Sequence, residues 1–213
     1  MKIIFMATSI YEKEQLIKFY GKNLLVKIKP NITNFRFKNF KSVKKNRKNL
    51  KILFFSNITW KKNFSFFYEI INNLNFSCEI NIVGSIFINE NSFYKMLNNL
   101  KRKHKVKYLG HIENKKIHKI IQKNHLLFLP TYDENFGHVI VENFFSSRPC
   151  ILSSNTPWND NIFHNAGFSI PLSEKQTFKN ALSYFYYLEQ KNYDIVCKNS
   201  KKYINYKIFN KNF

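Results

Sequence analysis

The chain has 213 residues, enough for one well-buried domain with additional segments, and its hydrophobic content of 44% excludes wholesale disorder. The formal net charge of +22 favours acidic partners such as nucleic acid, an anionic membrane face or a phosphorylated small molecule. A compositional explanation competes with this one. Lys, Asn, Phe and Ile have codons rich in A and T, so a skewed genome would raise the lysine content without selection for binding.

The cysteines and the N-terminus indicate the compartment. Cys78, Cys150 and Cys197 are widely spaced and predict neither a disulfide framework nor a metal site, which favours a reducing environment. The first apolar run is short and is followed at once by Glu12 and Glu14, so it lacks the length of a signal peptide or a membrane span. We predict a cytoplasmic protein, with peripheral attachment to the inner membrane face as a variant of that prediction.

A strongly basic segment precedes the regular part of the chain. Residues 15–68 contain no acidic residue, and the basic residues are densest between Lys38 and Lys51. We predict an exposed connector there, because an ordered pattern starts immediately afterwards. The alternative is a nucleic-acid-binding arm, which the interleaved Phe35, Phe37 and Phe40 would favour.

From residue 51 onwards, short apolar runs alternate with segments of helical spacing. The predicted strands are 51–56, 79–85, 106–112, 126–131, 149–154 and 167–172, and the predicted helices are 62–74, 91–103, 114–124, 137–147 and 177–190. This alternation predicts βαβ units in an α/β fold, with a doubly wound, Rossmann-like parallel sheet. Such sheets bind ligands beyond the carboxyl ends of their strands.

The loop and helix of the sequence DENFGHVIVE carry two carboxylates. Glu134 falls in the predicted loop and Glu142 in the second turn of the predicted helix, eight positions later. The N–H groups of Phe136, Gly137 and His138 would form an anion site at the start of that helix. Carboxylates suit sugar hydroxyls better than phosphate, so the combination points to a nucleotide sugar.

Two lysines follow the first strand of this pattern. Lys61 and Lys62 come just after FFSNITW, so one of them could reach the same pocket and neutralise a leaving diphosphate. The competing explanation is that both are solvated, since lysine is abundant throughout the chain.

Four segments in order and spacing, FFSNITWKKNFSFFYEII, INIVGS, VKYLGHI and FLPTYDENFGHVIVENFFSSRPCILSSNTPW, resemble a known enzyme family. They are similar to the C-terminal, donor-binding half of the GT-B retaining glycosyltransferases of family four (glycosyl transferases group 1), of the bacterial surface-polysaccharide type. The family's Glu-x7-Glu motif is matched by Glu134 and Glu142. The resemblance runs from about Lys51 to Leu172.

The resemblance implies sugar transfer from a nucleotide sugar with retention of anomeric configuration, without metal or other cofactor. Lys62 and Glu134 would be catalytic, Lys62 on the diphosphate and Glu134 on hydroxyls of the donor sugar, and Glu142 would bind the ribose. The other donor-binding positions that it implies are Asn57, Gly110, Ile112, Asn135, Phe136, Gly137 and His138. The acceptor would be a glycan or a lipid-linked sugar.

The chain departs from the family pattern in two ways. Asn57 stands where the family usually has an Arg, and an amide carries no charge to stabilise a diphosphate. Most of the acceptor domain also has no counterpart. We therefore expect a truncated enzyme with an acceptor-domain remnant and linker at 1–50, a nucleotide-sugar-binding domain at 51–190 and a helical tail at 191–213. A separate subunit would supply the missing acceptor domain.

A second hypothesis comes from a different functional class. The chain would be a catalytically dead, basic binding module for nucleic acid or anionic membrane, with the sugar-transfer residues as relics. Nucleic acid is not the first interpretation, because Lys62, Glu134, Gly137 and Glu142 are all retained. The six histidines show no ligand spacing with carboxylates or thiols, which predicts no metal site.

Overall fold

The computed structural model describes residues 3–29 and 43–209. In chain order the elements are β1 (Phe5–Ala7), α1 (Ile10–Tyr20), β2 (Val26–Ile28), β3 (Lys51–Phe55), α2 (Phe64–Asn72), β4 (Glu79–Val83), α3 (Glu90–Lys101), β5 (Lys105–Tyr108), α4 (Asn114–Ile121), β6 (Leu126–Leu129), α5 (His138–Phe145), β7 (Cys150–Ser153), β8 (Gly167–Ile170), α6 (Lys175–Tyr187) and α7 (Gln190–Phe209). Short 3-10 helices cover Trp60–Lys62 and Asn161–His164.

Six strands form one sheet in the order β5-β4-β3-β6-β7-β8, and every neighbouring pair is parallel. The predicted α/β fold is confirmed. Every residue of β6 and β7 is buried, as expected of central strands covered by helices on both faces. The chain order reverses between β3 and β6, so the loops after these two strands flank the switch point of the sheet.

Aromatic side chains fill the core on one side of the sheet. Phe67 of α2 contacts Phe54 of β3 at 5.0 Å and Phe128 of β6 at 5.2 Å between ring centroids, and Phe128 contacts Phe178 of α6 at 5.7 Å. All four rings are fully buried. This cluster bridges β3 and β6, so it fixes the two strands from which the switch-point loops depart.

Two predicted elements end differently in the structure. The strand predicted at 106–112 stops at Tyr108, and Gly110 lies beyond it with φ of 64°, a left-handed conformation that no strand can contain. The helix predicted at 177–190 is interrupted at Leu188, whose ψ of 132° is extended. The 20-residue helix α7 then begins, and its Tyr193 and Tyr203 are buried in the same core as the sheet.

The prediction of an exposed connector is wrong for part of the basic segment. Lys45 is only 2% exposed, and its ammonium group donates to the carbonyls of Asn46, Tyr186 and Leu188 at 2.9, 3.3 and 3.2 Å. Burial lowers the pKa of Lys45 to about 8. The stretch from Lys38 to residue 42, together with Phe35, Phe37 and Phe40, lies outside the described residues.

Residues 5–28 form a small βαβ unit of their own. β1 and β2 pair in parallel, and α1 connects them. Helix α1 begins after Ser9, whose hydroxyl accepts a hydrogen bond from the Glu12 N–H at 3.1 Å, as an N-cap does. No residue of α1 is buried, although Ser9 and Ala7 at its start are. The buried end of the unit therefore faces the rest of the chain.

Gly84 is predicted to be indispensable for joining β4 to the loop after β3. Its φ is 137°, and a Cβ there would lie 1.9 Å from the Ser56 carbonyl oxygen. Gly84→Ala should lower the free energy of unfolding by about 3 kcal/mol or more. The matched control is Gly110→Ala, where φ is 64° and a Cβ would meet nothing within 4 Å, so only backbone strain of about 1–2 kcal/mol is expected. Equal losses in urea unfolding would contradict this account.

Candidate functional site

The loops at the carboxyl edge of the sheet form one hydrogen-bonded rim. The Gly84 N–H donates to the Gly110 carbonyl at 2.8 Å, which joins the loops after β4 and β5. The Ile58 N–H donates to the Ser85 carbonyl at 2.8 Å, which joins the loops after β3 and β4. The predicted positions Asn57 and Gly110 thus belong to the same continuous edge, and the side chain of Asn57 is exposed.

The carbonyl of Lys61 holds the two loops at the switch point together. It accepts hydrogen bonds from the Tyr132 N–H at 2.9 Å and from the Thr131 hydroxyl at 3.0 Å. The Lys61 ammonium also pairs with the Asp133 carboxylate at 2.7 Å. Lys62, the next residue, forms an ion pair with Glu134. The structure therefore brings together the two residues that were predicted to be catalytic.

Gly137 places Glu134 against the start of helix α5. It is the N-cap of that helix with φ of 76°, and its carbonyl accepts from the N–H groups of Ile140 and Val141. A Cβ at Gly137 would lie 3.1 Å from the Glu134 Cγ and 2.8 Å from the Ile140 Cδ1. Glycine thus allows this close approach. The N–H groups in the first turn of a helix have no carbonyl of their own helix as acceptor, and they point towards the helix start.

The residues around Gly137 differ in what they expose. Phe136 is 4% exposed, and its carbonyl accepts a hydrogen bond from the indole of the fully buried Trp158. Its ring is therefore part of the core, and only its backbone can face a ligand. His138 is exposed and packs its ring edge against Phe136 at 5.1 Å. Asn135 is exposed as well, whereas Ile112 is partly buried against the core.

Glu142 is a half-exposed carboxylate in an otherwise apolar helix. It lies in the second turn of α5, between the buried Val141 and Asn143. Burial raises its pKa to about 7. The carboxyl group is thus close to half-ionised at neutral pH, and any ligand that donates hydrogen bonds to it would favour the charged form.

The N-terminal βαβ unit reaches the same loop on both sides of Glu134. The Ser9 hydroxyl donates to the Asn135 carbonyl at 2.9 Å, and the Tyr11 hydroxyl donates to the Asp133 carboxylate at 3.1 Å. Although burial raises the pKa of Asp133, the hydrogen bonds from Lys61 and Tyr11 outweigh it and hold that pKa below its ordinary value. Sequence reasoning missed both contacts, because they join residues more than 120 positions apart.

Three chemical classes can be placed for the part of the chain that the structure describes. Within residues 3–29 and 43–209, no group of three or more His, Cys, Asp or Glu side chains could hold a metal ion. Cys78, Cys150 and Cys197 are buried and form no disulfide. No helix in these ranges is long and apolar enough to cross a membrane.

The sequence profile of the family described as "Glycosyl transferases group 1" matches residues 35–203. The chain belongs to this family. The match begins before β3 and extends into α7, so it includes the whole six-stranded sheet. A comparison with curated protein sequences gave no match.

Solved structures of glycosyltransferases share the fold. Sucrose-phosphate synthase from Thermosynechococcus elongatus superposes with a TM-score of 0.76 at 16% identity, covering 95% of this chain and 53% of that one. HepE from Anabaena, in complex with UDP and glucose, gives 0.74 at 17% identity, covering 94% and 57%. TarM from S. aureus gives 0.75 at 14% identity, covering 98% and 41%. The chain thus spans about half the length of these proteins.

Replacing Glu142 by Gln is predicted to stabilise the fold at high pH. Because the folded-state pKa of about 7 exceeds the ordinary value of 4.5, ionisation of Glu142 costs stability. The cost is absent below the ordinary pKa and complete above the folded-state pKa. Glu142→Gln should therefore raise the free energy of unfolding at pH 8 by up to about 3 kcal/mol, with little change at pH 4.5.

The measurement is urea unfolding at both pH values, followed by tryptophan fluorescence. The control is Glu14→Gln, since Glu14 is exposed on α1 and should show no such gain. A Glu142→Gln protein that is no more stable than wild type at pH 8 would show that the buried carboxylate carries no such cost.

Proposed function

We propose that the chain is the donor-binding half of a retaining glycosyltransferase, which transfers a sugar from a nucleotide sugar. The observation that carries this proposal is the ion pair of Lys62 and Glu134 at the switch point, directly against the start of helix α5. A cation, a carboxylate and a helix N-terminus on one edge match a ligand that has both phosphates and hydroxyls. Membership of the glycosyl transferases group 1 family supports the same ligand class.

Lys62 and helix α5 would hold the diphosphate. The ammonium group and the first-turn N–H groups compensate charge that accumulates on the diphosphate as the glycosidic bond to it breaks. In the structure without a ligand, the Lys62 charge is balanced by Glu134. A bound diphosphate would draw Lys62 towards itself and leave Glu134 to accept hydrogen bonds from sugar hydroxyls.

Glu142 would bind the ribose of the nucleotide. Two ribose hydroxyls can donate to one carboxylate, and these bonds favour the ionised form that burial disfavours in the free protein. Backbone groups of the remaining predicted positions would line the site. They are Asn57, Gly110, Ile112, Asn135, Phe136, Gly137 and His138. Asn57 contributes no charge there, so Lys62 would carry the cationic role alone among these positions.

The acceptor side of the reaction requires more chain than the structure contains. The relatives with this fold are about twice as long, and the N-terminal βαβ unit of this chain already contacts the donor loop through Ser9 and Tyr11. We propose that an acceptor domain, in the same or a separate polypeptide, completes the cleft from that side. The acceptor would be a glycan or lipid-linked sugar in surface polysaccharide synthesis, at the cytoplasmic face of the membrane.

The first test is a calorimetric titration with UDP, GDP, ADP and their common sugar conjugates. The HepE structure contains UDP and glucose, so the uridine series comes first. We expect saturable binding of one nucleotide series. Glu142→Ala should weaken it by about 10- to 100-fold, because it removes hydrogen bonds to a charged group. The control is Glu14→Ala, which should bind like wild type. Unchanged affinity in Glu142→Ala would count against the proposed ribose site.

The affinity for a nucleotide sugar is also predicted to rise with pH. Binding selects the ionised form of Glu142, whose pKa in the free protein is about 7, so affinity should increase about tenfold from pH 6 to pH 8. A nucleotide sugar is the appropriate probe, because its diphosphate is esterified at both ends and has no phosphate pKa near 6. Glu142→Gln should flatten the profile. A wild-type profile that is already flat would exclude Glu142 from the ligand contacts.

A further inference from the structure

A basic groove lies at the amino edge of the sheet, opposite the candidate donor site. It encloses a cavity of about 360 Å³. Five lysines from separate parts of the chain line it: Lys44, Lys51, Lys105, Lys107 and Lys123. Since Lys51 and Lys105 are the first residues of β3 and β5, the length of a strand separates this amino-edge groove from the loops that carry Glu134.

One carboxylate faces these five ammonium groups. Glu79 lies between Lys51 and Lys105 in strand register, and the N–O distances are 3.7 and 3.8 Å. Five positive charges and one negative charge leave the amino-edge groove with a net charge of +4 (5 − 1). Asn81 adds an amide group to its lining. A concave surface with charge of one sign concentrates the electrostatic potential and attracts ions of the opposite sign.

The placement of the lysines is not explained by composition or by edge protection alone. A skewed composition raises lysine over the whole surface, whereas these five converge on one concavity. Lysines on an edge strand discourage pairing with another sheet, and this accounts for Lys105 and Lys107 on the edge strand β5. It does not account for Lys44, Lys51 and Lys123, which lie on other segments.

We propose that the amino-edge groove binds a phosphate group, carried either by a phospholipid head or by a soluble phosphorylated compound. Ammonium groups act as point charges that bind phosphate without a fixed geometry, and several of them around a small cavity suit a head group with several oxygens. This site is separate from the donor site, and it stands whether or not the chain transfers a sugar.

The lipid source is tested by flotation with phosphatidylcholine vesicles that either contain or lack phosphatidylglycerol. The groove variant is Lys105→Glu with Lys107→Glu, both at exposed positions. The control, Lys95→Glu with Lys198→Glu, changes the net charge of +22 by the same amount at exposed positions outside the groove. We expect binding only to the anionic vesicles, reduced at least about tenfold in the groove variant and much less in the control.

The soluble source is tested by titrating the same three proteins with inorganic phosphate, followed by NMR. Binding of phosphate that is lost only in the groove variant, without binding to vesicles, assigns the groove to a soluble ligand. Equal losses in the groove variant and the control, in either assay, would show an effect of net charge alone and overturn the proposal. Absence of both vesicle and phosphate binding in the wild-type protein would overturn it as well.

Discussion

The carbonyl oxygen of Lys61 joins the two loops that meet at the switch point of the sheet. The strands β3 and β6 are neighbours, yet their loops come from segments about 70 residues apart. Hydrogen bonds from Tyr132 and Thr131 to this one oxygen fix the loops relative to each other. The pairs Lys61–Asp133 and Lys62–Glu134 follow from that alignment, since each joins a side chain of one loop to the next residue along in the other.

The carboxylates at this edge differ in how the protein stabilises their charge. Asp133 and Glu134 have lysine partners, and hydrogen bonds hold the pKa of Asp133 low. Glu142 is raised to about 7 by burial. A residue that costs stability when ionised is retained only if another requirement outweighs the cost, and ligand binding is such a requirement. This contrast is the physical reason for placing the ribose at Glu142.

The fold and part of the site were predictable because their signals are local. Apolar runs gave the six strands, and the order of strands and helices predicted the parallel sheet. The Glu134–Glu142 spacing and Gly137 are contiguous, so their position at a loop and helix start could be read directly. The approach of Lys62 to Glu134 followed from the general rule that ligand loops of a parallel sheet meet at its carboxyl edge.

The parts that were missed depend on contacts distant in sequence or on weak local signals. Nothing near Ser9 or Tyr11 indicates that they contact the donor loop. Lys45 looks like a solvated lysine until three carbonyls from the α6–α7 region surround it. The break at Leu188 has no Gly or Pro to mark it, so α6 and the start of α7 were merged into one helix.

The most direct test of the central claim is hydrogen–deuterium exchange with and without a saturating nucleotide sugar. The account predicts slower exchange in the loops at 56–62 and 130–137 and in the first turns of α5, with little change at the amino edge of the sheet. Protection located elsewhere, with these loops unaffected, would contradict the assignment of the donor site to the switch point.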